Sequence, residues 1–432
     1  MIATTVKKLV SVRDDEVSAM LLATAYGFCI LLSYYIIRPV RDEISSADRG
    51  NLQLLWTAVF LVMVFVAVPL YSAVVSRYSR GVFIPLANRF FAANLLIFYA
   101  VLYALPENAR PWIDRVFYVW ASVFALFVVT VFWGFMVDLF TNEQGKRLFG
   151  FIVVGSSLGA IIGSVVTASL AERIPLFTLL LIAVVPLEGA ARCATILHRK
   201  SAGGKSAIRR EETEPIRGGA LSGIPVVFQS PYLRKIALFI ALMTFASTIL
   251  YFQQAQLVGE AFVDNRLGRT AFFAKIDLAV NIITIFTQAF LTAHIIRRIG
   301  IGLSLALVPA VAFLGFFGLG VYPLLGVLVV LQVLYRSGRY AITKPAREVL
   351  FTVVSREEKY KSKPFLDTAV YRGGDLISGW IYTGLAFVGL SLGAIALVAV
   401  PFAAVWVFAG LALGRRQENI VRERGAVATD VA

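Results

Sequence analysis

The sequence predicts an all-α polytopic membrane protein, with twelve transmembrane helices in two pseudo-symmetric six-helix bundles. Three observations carry that prediction. Of 432 residues, 59% are hydrophobic and 16% are charged, with a mean hydropathy of +0.78, whereas soluble domains carry about 25% charged residues. Twelve apolar stretches approach or exceed the roughly 20 residues that cross a bilayer. A polar, Gly- and Ser-bearing connection then divides those twelve into six and six.

The first six stretches are 17–37, 52–75, 82–105, 116–140, 148–170 and 175–197. The first is longer than the about 7 to 15 apolar residues of a signal-peptide core and has no small-residue cleavage site ahead of a soluble domain, so it is expected to stay. The next six are 232–258, 271–296, 301–321, 324–341, 365–390 and 392–413, the last two joined by a tight turn. The expected divisions are an N-terminal segment 1–16, a first bundle 17–197, a linker 198–231, a second bundle 232–413 and a tail 414–432.

An even number of spans puts both termini on one side, and the distribution of Lys and Arg selects the cytoplasm. With cytoplasmic termini, 27 of the 41 basic residues fall inside, 8 outside and six within spans, with Arg234 and Lys235 at the mouth of span seven counted inside. The net charge of +15 is therefore mostly topological. No segment outside the spans is long enough to fold a nucleic-acid-binding surface, which excludes that class. Cys29 and Cys193 lie in apolar runs, and His198 and His294 are far apart. Neither a disulfide framework nor a metal site is expected, and no cofactor is implied.

The halves echo each other. Arg77, Arg80 and Gly81 join spans two and three, and Arg297, Arg298 and Gly300 join spans eight and nine. Asn142, Glu143, Gln144, Lys146 and Arg147 precede span five, and Arg356, Glu357, Glu358, Lys359 and Lys361 precede span eleven. Six plus six spans around a cytoplasmic centre loop is the arrangement of a major facilitator transporter. Gly155, Gly159 and Gly163 form one stripe on span five, fit for close helix packing or for a sliding surface.

Ionisable groups inside spans cost about 2.5 to 3.5 kcal/mol each at the bilayer centre, so they require a partner or a watery cavity. Glu188 and Arg192, four apart, and Arg372 and Asp375, three apart, are spaced to pair on one helix face. Asp138, at the inner end of span four, is expected to form a gate-type salt bridge with Lys146 or Arg147. On span eight, Asp277, Asn281, Thr284 and Gln288 make one polar stripe, which either packs through hydrogen bonds or lines a cavity. Arg336 and Arg339 sit on nearly one face of span ten with no acid on that span, and Lys344 and Arg347 follow. Arg336 lies about 18 Å along the helix at 1.5 Å per residue, and unbalanced bases at that depth suit an anionic solute. At the outer end of span one, Arg38, Arg41, Asp42 and Glu43 either form an interfacial loop or, if the helix continues past Pro39, place Arg41 at a cavity mouth.

Taken together these residues resemble the ATP/ADP translocase family, the nucleotide antiporters of plastids and intracellular bacteria. The likeness lies in Tyr35 to Asp42; in Phe132, Trp133, Gly134 and Phe135 with Glu143, Lys146 and Arg147; and in a run from Tyr340 through Pro345, Arg347, Glu348, Glu358, Lys361, Lys363, Asp367, Arg372 and Gly374. Ala121 stands where a family glutamate is expected in span four, and Lys344 where an acid precedes the Pro-x-x-base motif. The resemblance implies a secondary transporter of a bacterial inner membrane, not an enzyme, exchanging a nucleotide or other anionic organic solute and working as a monomer. It implies phosphate contacts from Arg41 and from Arg347 or Arg339. With them, Arg336, Asp277, Asn281 and Gln288 would bind solute, and Asp138, Lys146, Arg147, Asp367, Arg372 and Asp375 would form the switch network. There is no phosphate-binding loop of the G-x-x-x-x-G-K-[ST] type, so gradients would supply the energy. A facilitator of lipids or drugs with a cavity open sideways to the bilayer, or a non-transporting scaffold that kept the fold, remain rivals that turnover would separate.

Overall fold

The computed structural model describes residues 12–13, 16–106, 109–203 and 223–430, and the regular elements among them are all helical. Most of the predicted N-terminal segment and the centre of the linker, 204–222, lie outside the described residues. Ten of the described helices are long and apolar enough to cross a membrane. The predicted twelve are recovered by resolving two features of that set.

Arg266–Val321 counts as one stretch of 56 residues, which as a straight helix would run about 84 Å, nearly three times the bilayer core. It breaks at Gly300, whose φ of 76° and ψ of 175° fall outside the helical region and suit only glycine. Thr292 donates to the Ala341 carbonyl at 2.8 Å, and Val308 lies against Gly338. Residues equally far before and after Gly300 thus flank the same stretch of span ten, so the chain doubles back there. Span eleven is the second case. It opens with a π-helical turn, Leu366–Val370, and only Tyr371–Phe387 is regular α-helix.

Two compact units divide the chain: Met1–Glu211 with Phe262–Asn281, and Glu212–Ala261 with Ile282–Ala432. Span eight is therefore shared, its first part packing in the first unit. Within the first unit span one (Val17–Ala47) packs on span five (Asn142–Leu170) and span six (Thr178–Gly203), and span three (Arg80–Ala104) packs on span six. Within the second, span seven (Pro231–Ala261) packs on spans eleven and twelve (Leu392–Asp430), and span nine packs on span twelve. The neighbour pattern is the same in both, shifted by six spans.

Local structure repeats as well. A π-helical turn interrupts span two at Met63–Ala67 and span eight at Thr287–Leu291. Span five starts at a reciprocal capping box between Thr141 and Gln144, and the helix leading into span eleven starts at one between Ser355 and Glu358. These boxes satisfy amide groups that a helix start leaves without partners, and they are the physical content of the echoed polar turns.

Helix association in lipid rests on close packing rather than on apolar burial. A Cβ on Gly155, Gly159 or Gly163 would run into Thr24, the Phe28 carbonyl or the Leu32 carbonyl of span one. The stripe on span five is thus a backbone-to-backbone contact. Gly302 and Gly414 play the same part between spans nine and twelve. Aromatic side chains fill the wider gaps, Tyr26 edge-on to Phe132 in the first unit and fully buried Trp406 against Phe239 in the second.

Candidate functional site

In the first unit the helix of span one continues ten residues past Ile37, through Pro39, to Ala47. That extension carries Arg38, Arg41, Asp42 and Glu43 into the packed structure. Arg41 donates to Asp42 at 2.6 Å and lies over the Tyr118 ring. Arg38 faces Asp42 at 3.4 Å and Asp277 of span eight at 3.5 Å. Glu43, wholly buried, accepts from Arg269 at 2.8 and 3.2 Å and faces Arg266 Nε at 3.0 Å. Arg266 also donates to Asp114 at 2.8 Å. Two formally neutral sets result, Arg38 and Arg41 with Asp42 and Asp277, and Arg266 and Arg269 with Glu43 and Asp114, adjacent in the chain at Asp42 and Glu43. Charges this buried are tolerated because each meets an opposite charge.

At the other end of span one, Glu16 holds Arg147 through both terminal nitrogens at 3.0 and 2.8 Å, and accepts from Gln144 at 3.1 Å and from the Arg13 amide. Burial works to raise the pKa of Glu16, but the Arg147, Arg13 and Gln144 hydrogen bonds outweigh it and hold the value down at about 2. Asp138 is exposed at the end of span four, and the side chain of Lys146 lies outside the described residues. Glu188 and Arg192 pair at 3.0 Å as their spacing predicts, and Arg89 of span three joins them through two bonds of 3.1 Å.

The second unit presents a different electrostatic pattern. Span ten runs from Leu325 to Gly338 and then passes through a π-helical turn, Arg339–Thr343. Arg336 is buried. Arg339, part-buried, donates to the Tyr371 hydroxyl at 3.3 Å and to the Tyr340 hydroxyl at 3.4 Å, and its guanidinium stands 5.1 Å from the Tyr340 ring centre. Among the described residues no carboxylate comes within ion-pair distance of it. Arg347, by contrast, pairs with Asp367 at 2.9 Å, and Lys363 with Glu348 at 2.5 Å. Arg372 and Asp375 are 3.9 Å apart, with Thr248 of span seven donating to Asp375 at 3.5 Å. Gln332 of span ten donates to the side chain of Gln254 on span seven.

The polar stripe of span eight divides between the units. Asp277 faces Arg38, and Asn281 donates to Ser164 of span five at 3.4 Å, both within the first unit. Gln288 donates to the Tyr340 carbonyl at 3.3 Å within the second. Two of these three contacts are helix-to-helix hydrogen bonds and the third is an ion pair. Sequence reasoning missed Glu16, Arg266 and Arg269, and it named Arg38 and Glu43 at the outer end of span one without identifying their partners. The i, i+4 spacing of Arg38 and Asp42 and the i, i+3 spacing of Arg266 and Arg269 were the available signals.

Comparison with known proteins places the chain in a family. The model of the TLC ATP/ADP transporter family matches residues 107–324, half of the chain. The "ADP,ATP carrier protein 1" of Chlamydia trachomatis is 23% identical over 451 residues, covering 88% of this chain and 84% of the relative. The "Plastidic ATP/ADP-transporter" of Solanum tuberosum is 23% identical, covering 92% and 74%. Among solved structures, a POT family transporter bound to a thioalcohol-conjugated peptide superposes with a TM-score of 0.61 at 11% identity, covering 95% of this chain and 99% of that one. The nucleoside transporter NupG gives 0.58 at 12% identity, with 91% and 99% covered. The fold is thus of the major facilitator type, and the chain belongs to the TLC ATP/ADP transporter family, as a multi-pass membrane transporter and not an enzyme.

Proposed function

We propose that this transporter exchanges adenine nucleotides, ATP against ADP, across a bacterial inner membrane, with both termini in the cytoplasm and bundles at 17–197 and 232–413. The observation that carries the reading is Arg339. A guanidinium set within a membrane span has a strong electrostatic need for an anion, and Arg339, with no carboxylate in ion-pair distance among the described residues, donates long hydrogen bonds to the hydroxyls of Tyr371 and Tyr340. A phosphate oxygen meets that need with short, charge-assisted bonds. Arg336, buried one turn earlier on the same helix, is the second basic residue of the proposed site. Arg41 and Arg347 are already ion-paired, so their role in this reading is to hold helices rather than to make the principal phosphate contact. Asp367, Arg372 and Asp375, with Arg147 and Glu16, are the pairs expected to exchange partners as the carrier turns over.

Both curated relatives quoted above are named for ATP and ADP, which supports the same solute class here. The test is uptake of labelled ATP and ADP into proteoliposomes preloaded with unlabelled nucleotide. Exchange should require internal nucleotide, and Arg339→Gln should lower it about tenfold or more, the value of a lost charged hydrogen bond. Correctly inserted protein that exchanges no adenine nucleotide would overturn the proposed solute. Full activity in both Arg336→Gln and Arg339→Gln would overturn the proposed site.

A further inference from the structure

A second feature of the first unit shares no lining residue with the charged groups described above. Spans two, three and four leave between them an apolar groove of about 910 Å³, within the size range of ligand pockets. Leu54 and Val66 of span two, Leu86 and Phe90 of span three, and Val116 of span four line it, all exposed. Of the candidate spans, span two has the smallest buried share, 11%. It is pinned to span four at one end by Trp56 donating to the Tyr118 hydroxyl at 2.9 Å, and at the other by the Tyr71 ring against Phe127. Between those pins the π-helical turn Met63–Ala67 interrupts the helix, and Val66 and Ala67 of that turn line the groove.

One end of the groove is chemically unlike the rest. Asn51, Trp112 and Arg115 form its lip. Trp112 is 68% exposed, as expected of an indole at the level of lipid headgroups. Arg115 stacks over Trp112 at 4.7 Å and is steered by Asp48 at 2.6 Å. Beside Asp48 stands Arg49, exposed and without an ion pair among the described residues. Arg49 opens the same short helical turn, Arg49–Asn51, that brings Asn51 to the lip, so two arginines accompany one carboxylate at this end, above a slot lined almost entirely by hydrocarbon. A slot of that kind in a membrane-spanning unit takes acyl chains, and a positive lip selects what sits on top of them.

We infer that the groove between spans two, three and four is a binding site for an anionic phospholipid, its acyl chains in the slot and its headgroup phosphate at Arg115 and Arg49. The lipid fills the void beside the least buried span and so braces it, independently of the solute carried.

The test is native mass spectrometry of the detergent-purified full-length protein after incubation with phosphatidylglycerol or phosphatidylethanolamine. The wild type should retain one phosphatidylglycerol about tenfold better than phosphatidylethanolamine, the value of one charged contact. Arg49→Gln, at an exposed side chain without an ion pair, should remove most of that preference, and Arg115→Gln the remainder. Ala58→Trp and Ala87→Trp, which fill the slot, should lose retention of both lipids while the circular dichroism spectrum stays helical. Equal retention of the two lipids by the wild type would overturn the inference, as would a preference unchanged in both arginine variants. A retained mass equal to a second protomer or to a neutral amphiphile would assign the groove to that occupant instead.

Discussion

Replacing Glu43 with glutamine should destabilise the first unit more than any other single change in its charge cluster. Glu43 is wholly buried and neutralises two arginines at once: Arg269 through bonds of 2.8 and 3.2 Å, and Arg266 at 3.0 Å. Glutamine keeps the shape but removes the charge. Arg266 would retain Asp114 at 2.8 Å. Arg269, whose side chain is only 10% exposed, would retain just the Phe262 carbonyl at 2.7 Å. Removing one member of a buried pair costs about 3 to 5 kcal/mol.

For a unit of this size each kcal/mol moves a thermal midpoint by about 2 to 4 °C, so a fall of roughly 6 to 12 °C or more is expected. The assay is thermal unfolding of detergent-purified protein followed by thiol reactivity of Cys29 and Cys193, both in the first unit. The companion variant Glu43→Leu with Arg269→Met should recover much of the loss, because removing both buried charges removes both desolvation costs. A Glu43→Gln midpoint within about 1 °C of wild type would refute the reasoning and mean that water reaches the cluster.

Three further outcomes follow from the same geometry. Gly159→Leu should reduce the folded yield sharply, because its Cβ meets the backbone of Phe28 rather than a side chain that can move, with overpacking worth about 1 to 3 kcal/mol or more; yield by size-exclusion chromatography reads it. The folded-state pKa of Glu16 lies below its ordinary 4.5 at about 2, so its stabilisation is complete above about pH 4.5 and is lost as pH falls toward 2. Thermal midpoints across that window should fall less steeply in Arg147→Gln, which has already lost the partner. Arg347→Gln and Asp367→Asn should show a coupling of about 1 kcal/mol in a double-mutant cycle on stability, because the two side chains meet at 2.9 Å but Asp367 is a third exposed.

The span count and the six-fold offset were legible because a bilayer demands long apolar runs and a repeat leaves its turns in place. The polar turn 142–147 and its counterpart 356–361 were readable as echoes, and the capping boxes at Thr141 and Ser355 explain why. The charge cluster was only half legible. Sequence spacing reveals partners on one helix, such as Glu188 with Arg192, but not partners brought together from residues 43, 114 and 269. The apolar rule also ended span one at Ile37, because Arg38, Arg41, Asp42 and Glu43 look like a loop until their opposite charges are found. A helix can carry such residues onward when each is neutralised by a neighbour, and composition along one segment cannot report that.

Charge balance also ranks the arginines by function, which gives the last prediction its form. In the first unit Arg41 is bonded to Asp42 at 2.6 Å. Arg41→Gln should therefore leave an acid without part of its counter-charge, and its main effect should be on stability. In the second unit Arg339 makes no ion pair with an acid among the described residues and donates to the hydroxyls of Tyr340 and Tyr371. Arg339→Gln removes a cation that makes no ion pair with an acid among the described residues, so its stability cost should be smaller than that of Arg41→Gln while nucleotide exchange falls about tenfold or more. The two variants should separate along perpendicular axes when thermal midpoint is plotted against exchange rate: Arg41→Gln low in midpoint, Arg339→Gln low in exchange. Tyr371→Phe sharpens the comparison, since it frees one donor of Arg339 for solute without altering charge, and should keep exchange. If Arg339→Gln instead lowers the midpoint and leaves exchange intact, the guanidinium is a structural strut for spans ten and eleven. The anion site must then be sought among the ion-paired arginines, Arg38 and Arg41 first, since a pair that breaks during turnover can offer a phosphate what it withholds here.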